Sequence, residues 1–388
     1  MDYSEELNIL KRKGLLRTVR NRSSPQGARI RIEGREFINF GSNDYLGLAS
    51  HPEVIEAAKR AMDEFGFGGG AARLLSGGTL LNRSLEENIA SYKGTEAAVM
   101  LNSGYTANTG IIPSIAGQDD LLFSDELNHA SIIDGCRLSR ARLFVYRHRD
   151  VNHLESLMRG VLSSSGMRGR SVVVTDTVFS MDGDIAPLPD LCDLCRRKDA
   201  VLYLDDAHGT GVLGKGKGAL AYFCIHPEAW MIQMGTFSKA LGSFGAFAAG
   251  ERGVIDWITN TVRGFIFSSA LPAPVVAASL KAIGLIKDRP ALVQRLWENR
   301  DRLAHGLLEK GYTIESETPI IPLKTKHVEE ALKASDSLFR KRLYVPAIRP
   351  PAVSRPRLRI TITASHSEED VDSLIEALAE IKDLFLMH

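Results

Sequence analysis

The chain of 388 residues has few cysteines and almost no net charge. Its four cysteines, Cys136, Cys192, Cys195 and Cys224, are too few and too irregularly spaced for a disulfide framework. No second Cys/His pair completes a zinc site around the Cys192-x-x-Cys195 motif. A net charge of +1, without a basic patch interleaved with aromatic residues, gives no electrostatic basis for nucleic-acid binding. We therefore expect neither a metal site nor a nucleic-acid partner.

Long apolar runs are also missing. The longest candidate, residues 274–286, is interrupted by Lys281 and is shorter than the roughly twenty residues of a membrane span. The first six residues are acidic and lack the apolar core of a signal peptide. The basic run within residues 11–22 is interpreted as the solvated face of a helix, with contact to an anionic substrate as the alternative. These features predict a reduced, cytoplasmic protein without membrane association.

What the chain does contain is a succession of short, continuous apolar runs separated by helical segments. Continuous rather than alternating runs are typical of a sheet that is covered on both faces. The predicted strands of this sheet are 97–101, 121–123, 143–146, 172–175, 201–204, 231–234 and 246–249. The pattern predicts an α/β fold with a mostly parallel sheet.

The segments that flank this alternation have a different character. Strands 29–32 and 36–39 are predicted to form a hairpin, and Ser50 is predicted to cap the following helix. Beyond residue 289 we expect a long helix, strands 313–323 and 357–362, and a final helix that begins at Ser367. The predicted segments are 1–46 (helix and hairpin), 47–286 (large domain) and 287–388 (small α+β domain).

One lysine follows the predicted strand that ends at Met234. Lys239 lies between the hydroxyls of Thr236 and Ser238 and the small residue Gly242. A lysine at a strand end can be desolvated, kept neutral and used to form a Schiff base, and small neighbours leave room for a flat cofactor. The alternative is an ordinary solvated surface lysine.

Acidic residues begin where the apolar run 201–204 stops. In parallel α/β sheets ligands bind at the carboxyl ends of strands, which is where Asp205 is predicted to lie. A carboxylate there can keep a pyridinium nitrogen protonated, and His208 can reach the same ligand from the next turn. The alternative is a surface turn with an exposed histidine. The presence of Lys239 further along the chain favours the functional interpretation.

Two further groups of residues suggest anion contacts. Gly104 and Tyr105 follow strand 97–101 and open a helix, whose backbone N–H groups suit a phosphate, although a simple turn remains the alternative. Arg359 lies in an apolar strand, where a charge needs a partner, and its guanidinium can bind a carboxylate through two hydrogen bonds. Arg357 is interpreted instead as an edge-strand arginine that faces water.

Several motifs, in order along the chain, resemble those of the α-oxoamine synthases. The matching segments are 39–47 (NFGSNDYLG), 73–77 (RLLSG), 102–108 (NSGYTAN), 127–131 (LNHAS), 178–184 (VFSMDGD), 205–209 (DDAHG), 236–239 (TFSK) and 357–360 (RLRI). The α-oxoamine synthases are pyridoxal 5'-phosphate (PLP) enzymes of the aspartate-aminotransferase fold type I. They condense an amino acid with an acyl thioester and release carbon dioxide. The resemblance therefore implies a large PLP-binding domain with a mostly parallel sheet and a small C-terminal α+β domain.

The resemblance also implies roles for individual residues. Lys239 would carry the cofactor and act as the base at the substrate Cα, Asp205 would keep the pyridine nitrogen protonated, and His129 would stack on the ring. The implied cofactor contacts are Gly104, Tyr105, His129, Ser180, Asp205, His208, Thr236, Lys239, Ser268 and Ser269. The implied substrate contacts are Arg17, Asn43, His129 and Arg359. Ser268 and Ser269 match a segment that reaches the phosphate of a neighbouring subunit, which implies a homodimer with shared active sites.

Residues 347–351 (AIRPP) resemble the branch that joins L-alanine to pimeloyl-CoA or a pimeloyl-carrier protein in biotin biosynthesis. Two departures bear on the acyl substrate, because Ala352 replaces a usual threonine and Asn82 a usual histidine. Glycine C-acetyltransferase or another α-oxoamine synthase therefore remains an alternative. An aminotransferase of the same fold and a non-catalytic partner subunit are alternatives of another class. Retention of Lys239, Asp205 and His129 argues against the non-catalytic subunit.

Overall fold

The computed structural model describes residues 2–164 and 169–386. The strands in this part of the chain are β1 (Arg29–Ile32), β2 (Arg35–Asn39), β3 (Ala97–Leu101), β4 (Leu121–Asp125), β5 (Arg142–Tyr146), β6 (Ser171–Asp176), β7 (Ala200–Asp205), β8 (Met231–Thr236), β9 (Ala246–Gly250), β10 (Ile320–Lys324), β11 (Leu343–Tyr344), β12 (Ala347–Ile348) and β13 (Arg357–Thr361). The α-helices are α1 (Ser4–Arg12), α2 (Pro52–Phe65), α3 (Leu80–Lys93), α4 (Gly104–Ile115), α5 (Ala130–Leu138), α6 (Val151–Ser164), α7 (Leu188–Arg197), α8 (Ala219–Tyr222), α9 (Arg252–Thr261), α10 (Arg263–Ile266), α11 (Ala273–Asp288), α12 (Ala291–Glu309), α13 (Val328–Arg340) and α14 (Glu368–Ala379).

The described residues form two compact units. The larger unit is drawn from residues 51–164, 169–180 and 185–293, and the smaller from residues 2–50, 181–184 and 294–386. The division into the three segments 1–46, 47–286 and 287–388 stays a prediction.

The larger unit is built on a seven-stranded sheet with the order β3-β9-β8-β7-β6-β4-β5. β9 runs antiparallel to both of its neighbours, while the pairs formed by β4, β5, β6, β7 and β8 are parallel. Every residue of β4, β6, β8 and β9 is buried, as a sheet covered on both faces requires. The seven strand predictions and the mostly parallel α/β fold are confirmed.

This sheet brings four strand ends to one edge. The parallel strands β4, β6, β7 and β8 end at Asp125, Asp176, Asp205 and Thr236, and Asp176 lies opposite Asp205 in the strand register. The carboxyl ends of parallel strands are where ligands bind in open α/β sheets. Three carboxylates and a hydroxyl are therefore available at the edge where the sequence predicts the site.

The start of α2 corrects one prediction. His51, not Ser50, caps this helix, and its side chain accepts a hydrogen bond from the backbone N–H of Glu53. Pro52 occupies the first helical position, where its fixed φ and missing N–H are tolerated. The proline therefore sets the cap at the residue directly before it.

The smaller unit contains two three-stranded sheets, β1-β2-β11 and β10-β13-β12. The predicted hairpin is confirmed, since β1 and β2 pair antiparallel around Glu33 and Gly34, which both have positive φ angles. The final helix is also confirmed, because Ser367 caps α14 together with Asp370. The prediction of a strand from residue 313 is wrong, since β10 begins only at Ile320. Pro319, which has no N–H for a ladder hydrogen bond, precedes that start.

The N-terminal basic run does not form one helix face. Helix α1 ends at Arg12 and therefore includes only Lys11 and Arg12 of the run. Arg17 and Arg20 lie beyond the helix in irregular structure. The interpretation as a single solvated helix face is thus wrong for the second half of the run.

The described residues have neither a membrane-spanning helix nor a metal-binding cluster. Residues 2–164 and 169–386 contain no helix that is long and apolar enough to cross a membrane. The same residues contain no cluster of three or more His, Cys, Asp or Glu side chains that could hold a metal ion. Cys192 and Cys195 are free thiols buried in α7.

Candidate active site

Asp205 is the last residue of β7 and is almost completely buried, with 4% of its surface exposed. Asn108 Nδ2 donates to its Oδ2 at 2.7 Å, and the backbone N–H of Ala207 donates to its Oδ1 at 3.0 Å. Burial raises the pKa of Asp205, and the positive charge of Lys239 opposes this shift. The carboxylate is thus held in a fixed position beside a cation.

Lys239 lies in the turn after β8 and is half-buried. Its charge acts on the pKa values of Asp205, Asp176 and His129, which places its amine close to all three groups. Gly211 makes this approach possible, because a Cβ at that position would lie 2.5 Å from Ala240 Cβ. The turns after β7 and β8 therefore pack closely, and the larger unit brings Lys239, Asp205 and His129 together.

His129 caps helix α5 and is an exposed residue. Its backbone N–H donates to Asp176 Oδ2 at 2.6 Å, and its Nδ1 accepts from the backbone N–H of Ser131 at 3.2 Å. The desolvation caused by the surrounding protein lowers the pKa of His129, with Asp205 opposing and Lys239 adding to the shift. His129 is therefore a neutral, rigidly mounted aromatic ring beside Lys239.

The structure adds site residues that the sequence reasoning missed. Asn108 accepts a hydrogen bond from Tyr203 Oη at 2.8 Å while it donates to Asp205. Burial, and then the charge of Asp205, raises the pKa of Asp176 well above its usual range. A signal for Asp176 was present, because it ends an apolar run as Asp205 does. Asn108 lies in a motif segment, but nothing in its spacing indicates its contact with Asp205.

The predicted phosphate contacts lie at the start of α4 and after β8. The first N–H groups of a helix have no intrahelical acceptor, so those of Gly104 and Tyr105 can donate to an anion. The hydroxyl of Tyr105 is engaged with Asp134. Thr236 Oγ1 donates to the carbonyl of Gly245 at 2.8 Å and lies 2.7 Å from the exposed Ser238 Oγ. Ser238 is therefore the better placed hydroxyl donor of the two.

The remaining predicted cofactor residues are spread over three segments. His208 is buried in the turn after β7, and Ser180 is half-buried in a turn beyond β6. Ser268 and Ser269 follow α10, and the carbonyl of Ser269 accepts from Asn102 Nδ2 at 3.1 Å. Ser269 is thereby tied to the residue that directly follows β3.

Arg359 and Asn43 lie together in the smaller unit. Arg359 is 5% exposed in β13, the middle strand of its sheet. Its Nη1 donates to Asn43 Oδ1 at 3.1 Å and to Thr361 Oγ1 at 2.9 Å. Burial raises the pKa of Tyr45 to about 12, and the nearby charge of Arg359 opposes this shift. Two of the predicted substrate contacts, Arg359 and Asn43, are thus hydrogen-bonded to each other within this unit.

The interpretation of Arg357 as a water-facing arginine is wrong. It is 4% exposed, and its Nη1 donates to Asp182 Oδ1 at 2.6 Å and to the carbonyl of Met181 at 3.0 Å. The neighbouring strands β10 and β12 cover both edges of β13. Sequence alone did not indicate that the acid from residues 181–184 would meet this strand.

Arg17 borders a cavity of about 480 Å³ in the smaller unit. Arg349 lines the same cavity, and its side chain donates to the carbonyl of Leu16 at 2.7 Å. Burial, together with the charge of Arg17, lowers the pKa of Arg349. The cavity therefore presents two guanidinium groups that repel each other, a setting that favours an anionic ligand.

The sheet is that of a fold type I enzyme, since it presents a lysine and a carboxylate at adjacent strand ends. Residues 35–378 match the family model "Aminotransferase class I and II". The chain is 50% identical over 384 residues to a putative 8-amino-7-oxononanoate synthase of Thermodesulfovibrio yellowstonii, covering 99% of this chain and 98% of the relative. It is 47% identical to the 8-amino-7-oxononanoate synthase of Geotalea daltonii, covering 98% and 97%.

A solved serine palmitoyltransferase variant from S. paucimobilis, with a bound PLP–myriocin aldimine, superposes with a TM-score of 0.91 at 28% identity. The superposition covers 98% of this chain and 96% of that one. The chain belongs to the class I and II aminotransferase family and, within it, to the 8-amino-7-oxononanoate synthases. The family resemblance inferred from the motifs is thereby confirmed.

Proposed function

We propose that the protein is a PLP-dependent acyltransferase that condenses L-alanine with a pimeloyl thioester in biotin biosynthesis. The products are 8-amino-7-oxononanoate, carbon dioxide and the free thiol. The observation that carries this proposal is the buried Asp205 beside Lys239 at adjacent strand ends, in a chain that is 50% identical to a putative 8-amino-7-oxononanoate synthase.

The chemistry of the donor set fits PLP. Asp205 would hold the pyridine nitrogen, the backbone of Gly104 and Tyr105 would bind the phosphate, and Lys239 would attach the cofactor covalently. Thr236 and Ser238 lie just before Lys239 in the chain. The hydroxyl of Ser238, which is exposed and lies 2.7 Å from that of Thr236, would be a further donor to the phosphate. When bound, PLP supplies an electron sink for negative charge that develops at the substrate Cα.

The chain's own residues would then position the substrate and move its proton. Lys239 Nζ would be the base that takes the proton from Cα, because its charge acts on both Asp205 and His129 and its amine therefore lies near them. His129 would cover one face of the cofactor ring as a neutral aromatic. Its lowered pKa keeps positive charge away from Lys239, so that the amine can act as a base.

Substrate recognition is assigned to the smaller unit. Arg359, held by Asn43 and Thr361, would bind the carboxylate of the amino acid. The two guanidinium groups of Arg17 and Arg349 would bind an anionic group of the acyl donor. We expect Arg17→Ala to raise the KM for the acyl thioester more than that for the amino acid.

We further propose a homodimer in which Ser268 and Ser269 contact the cofactor phosphate of the neighbouring subunit. The adjacent Phe267 is 70% exposed, which suits burial against a second chain. Mixing Lys239→Ala with a Ser268→Ala/Ser269→Ala variant, under subunit exchange, should restore activity because one complete site forms. A fully active monomer in sedimentation would rule this arrangement out. Cytoplasmic location stays a prediction.

Glycine C-acetyltransferase is the second candidate, and it stays open because Ala352 departs from the pattern of the resembled branch. By the resemblance, a threonine is usual at this position, so one hydroxyl for the acyl substrate would be missing here. Asn82, the other departure, has a structural role, since its Oδ1 accepts from the backbone N–H of Thr79 at 2.7 Å at the start of α3. Comparing kcat/KM for L-alanine with pimeloyl-CoA and for glycine with acetyl-CoA decides between the two.

Covalent attachment of the cofactor provides the direct test of the proposal. Purified protein should be yellow, and borohydride reduction should fix the cofactor mass on the peptide that contains Lys239. The Lys239→Ala variant should not retain the mass after reduction. A label on any other lysine would refute the assignment.

A further inference from the structure

The predicted ring partner His129 is joined to Asp205 by two buried side chains, Asn108 and Ser131, to which the motif resemblance gave no role. Asn108 Nδ2 donates to Asp205 Oδ2 at 2.7 Å and to Ser131 Oγ at 2.8 Å. Ser131 Oγ lies 2.7 Å from His129 Nδ1. Asn108 and Ser131 are 0% and 1% exposed, so water does not compete for these hydrogen bonds.

The direction of each hydrogen bond follows from the donors. The backbone N–H of Ser131 donates to His129 Nδ1 at 3.2 Å, so this nitrogen presents its lone pair and carries no proton. The Ser131 hydroxyl must then donate to the same nitrogen. Its oxygen accepts from Asn108, whose two Nδ2 hydrogens serve Ser131 and Asp205. Tyr203 Oη donates to Asn108 Oδ1 at 2.8 Å and fixes the amide orientation.

We propose that Ser131 and Asn108 are positioning residues that hold His129 as the neutral tautomer with its proton on Nε2. They also fix the position of the ring relative to Asp205. The ring nitrogen that Ser131 does not engage is thereby a permanent donor toward an acceptor atom on the ligand. A ring without charge can also cover the cofactor without opposing the base Lys239. The consequence for turnover rests on the proposed function, whereas the tautomer does not.

A simple helix cap accounts for only part of this geometry. Capping of α5 requires His129 Nδ1 and the backbone N–H of Ser131, and it would be complete without the serine hydroxyl or the Asn108 amide. The hydroxyl and the amide add a second connection, through two buried side chains, that ends at the carboxylate of Asp205. The lowered pKa of His129 agrees with a ring that stays neutral.

The test is ¹⁵N NMR of the histidine ring nitrogens in the cofactor-free protein and in the holoenzyme, with His129→Gln to assign the signal. We expect an unprotonated Nδ1 and a protonated Nε2 in the wild type. Ser131→Ala should give a mixture of tautomers and a higher pKa for His129. Ser131→Thr keeps the hydroxyl and should keep the wild-type signature.

A matched control is Ser124→Ala. Ser124 is also buried and accepts from an amide, Asn128 Nδ2, at 2.9 Å, but it engages that amide and not the ring of His129, whose Nδ1 contacts Ser131 Oγ. This variant should leave the tautomer unchanged. In holoenzyme, Ser131→Ala should lower kcat by about 2- to 10-fold, the effect of one neutral hydrogen bond, and should shift the acidic limb of the pH profile upward.

A wild-type ring protonated on Nδ1, or a Ser131→Ala spectrum identical to the wild type, would overturn the proposal. The spectrum of the wild type shows which ring nitrogen of His129 carries the proton, even if a variant fails to fold. Failure of the proposed function has a different signature, since the wild type would then not form the condensation product while the tautomer pattern remained. The two outcomes are therefore distinguishable.

Discussion

Two adjacent carboxylates at the end of β7 have very different surroundings. Asp206 accepts from Lys93 Nζ at 2.8 Å, Thr177 Oγ1 at 2.7 Å, Thr210 Oγ1 at 2.8 Å and the backbone N–H of Ala219 at 3.1 Å. Asp205 accepts from one amide and one backbone N–H, and its nearby cation, Lys239, lies in the candidate site. The same residue type therefore serves the fold at one position and is presented to a ligand at the next.

The contrast recurs in two other residue types. His366 is 1% exposed and has both ring nitrogens engaged by the backbone, whereas His129 is exposed with Nδ1 engaged. Arg357 is ion-paired with Asp182, whereas Arg359 contacts the amide of Asn43. In each of these pairs, as in the aspartate pair, the first-named member is held by an ion pair or by the backbone and is expected to stabilise the fold. The other member is expected to serve the ligand.

The largest expected effect is on Asp206. Asp206→Ala would leave the ammonium of Lys93, whose side chain is 1% exposed, without its counter-ion. Breaking one partner of a buried ion pair costs about 3–5 kcal/mol, so urea unfolding should show a loss of that size. The double variant Lys93→Met/Asp206→Leu, which removes both charges, should recover most of it. A loss below about 1 kcal/mol in the single variant would contradict the structural role of Asp206.

The contrast between the two aspartates also shows what the sequence could predict. The seven strands of the sheet were predictable because their apolar runs are continuous, and Asp205 and Lys239 followed from their places at strand ends. The chain indicated only that two acids follow β7. The partner of each depends on residues such as Lys93 and Asn108, which lie about a hundred positions away in the chain. Contacts of that range, like the Arg357–Asp182 pair, have no local signal.

The next effect separates activity from stability at Asp205. Asp205→Asn keeps the shape of the side chain and removes its carboxylate, whose pKa is raised by burial. The unfolding free energy of the cofactor-free protein should therefore change by less than about 1.5 kcal/mol. Turnover should fall roughly 10²- to 10³-fold, because the charge at the pyridine nitrogen is lost. Steady-state kcat and urea unfolding measure the two quantities. An active Asp205→Asn enzyme would reverse the roles assigned to the two acids.

The arginine pair gives a smaller effect with a built-in control. Arg359→Lys keeps the charge but cannot form bidentate hydrogen bonds with a carboxylate. The value of kcat/KM for the amino acid should therefore fall about 10- to 100-fold. Arg357→Lys should lower the urea midpoint instead, since Arg357 bonds Asp182 and the carbonyl of Met181. If Arg357→Lys carried the larger kcat/KM defect, the assignment of the pair would be inverted.

The smallest effect concerns His366 and depends on pH. Its Nδ1 accepts from the backbone N–H of Thr363 at 3.0 Å, and its ring stacks on Phe40 with centroids 4.4 Å apart. Burial lowers the pKa of His366 to about 4. Below the unfolded pKa of about 6.5 the unfolded chain binds a proton that the folded protein does not. Stability from His366 is therefore full above about pH 6.5 and is lost as the pH falls toward 4.

The linkage relation sets the size of this loss at about 2 kcal/mol at pH 5. His366→Gln should be less stable than the wild type at pH 7.5 but should lose less on acidification, which urea unfolding of cofactor-free protein at both pH values measures. Asp44 acts in the opposite direction, because burial raises its pKa to about 6 and its protonation favours the folded state as the pH falls. The comparison is therefore sharpest in an Asp44→Asn background. If the unfolding free energy in that background depended equally on pH with and without His366, the ring would take up a proton in the folded protein. The contrast with His129 would then fail.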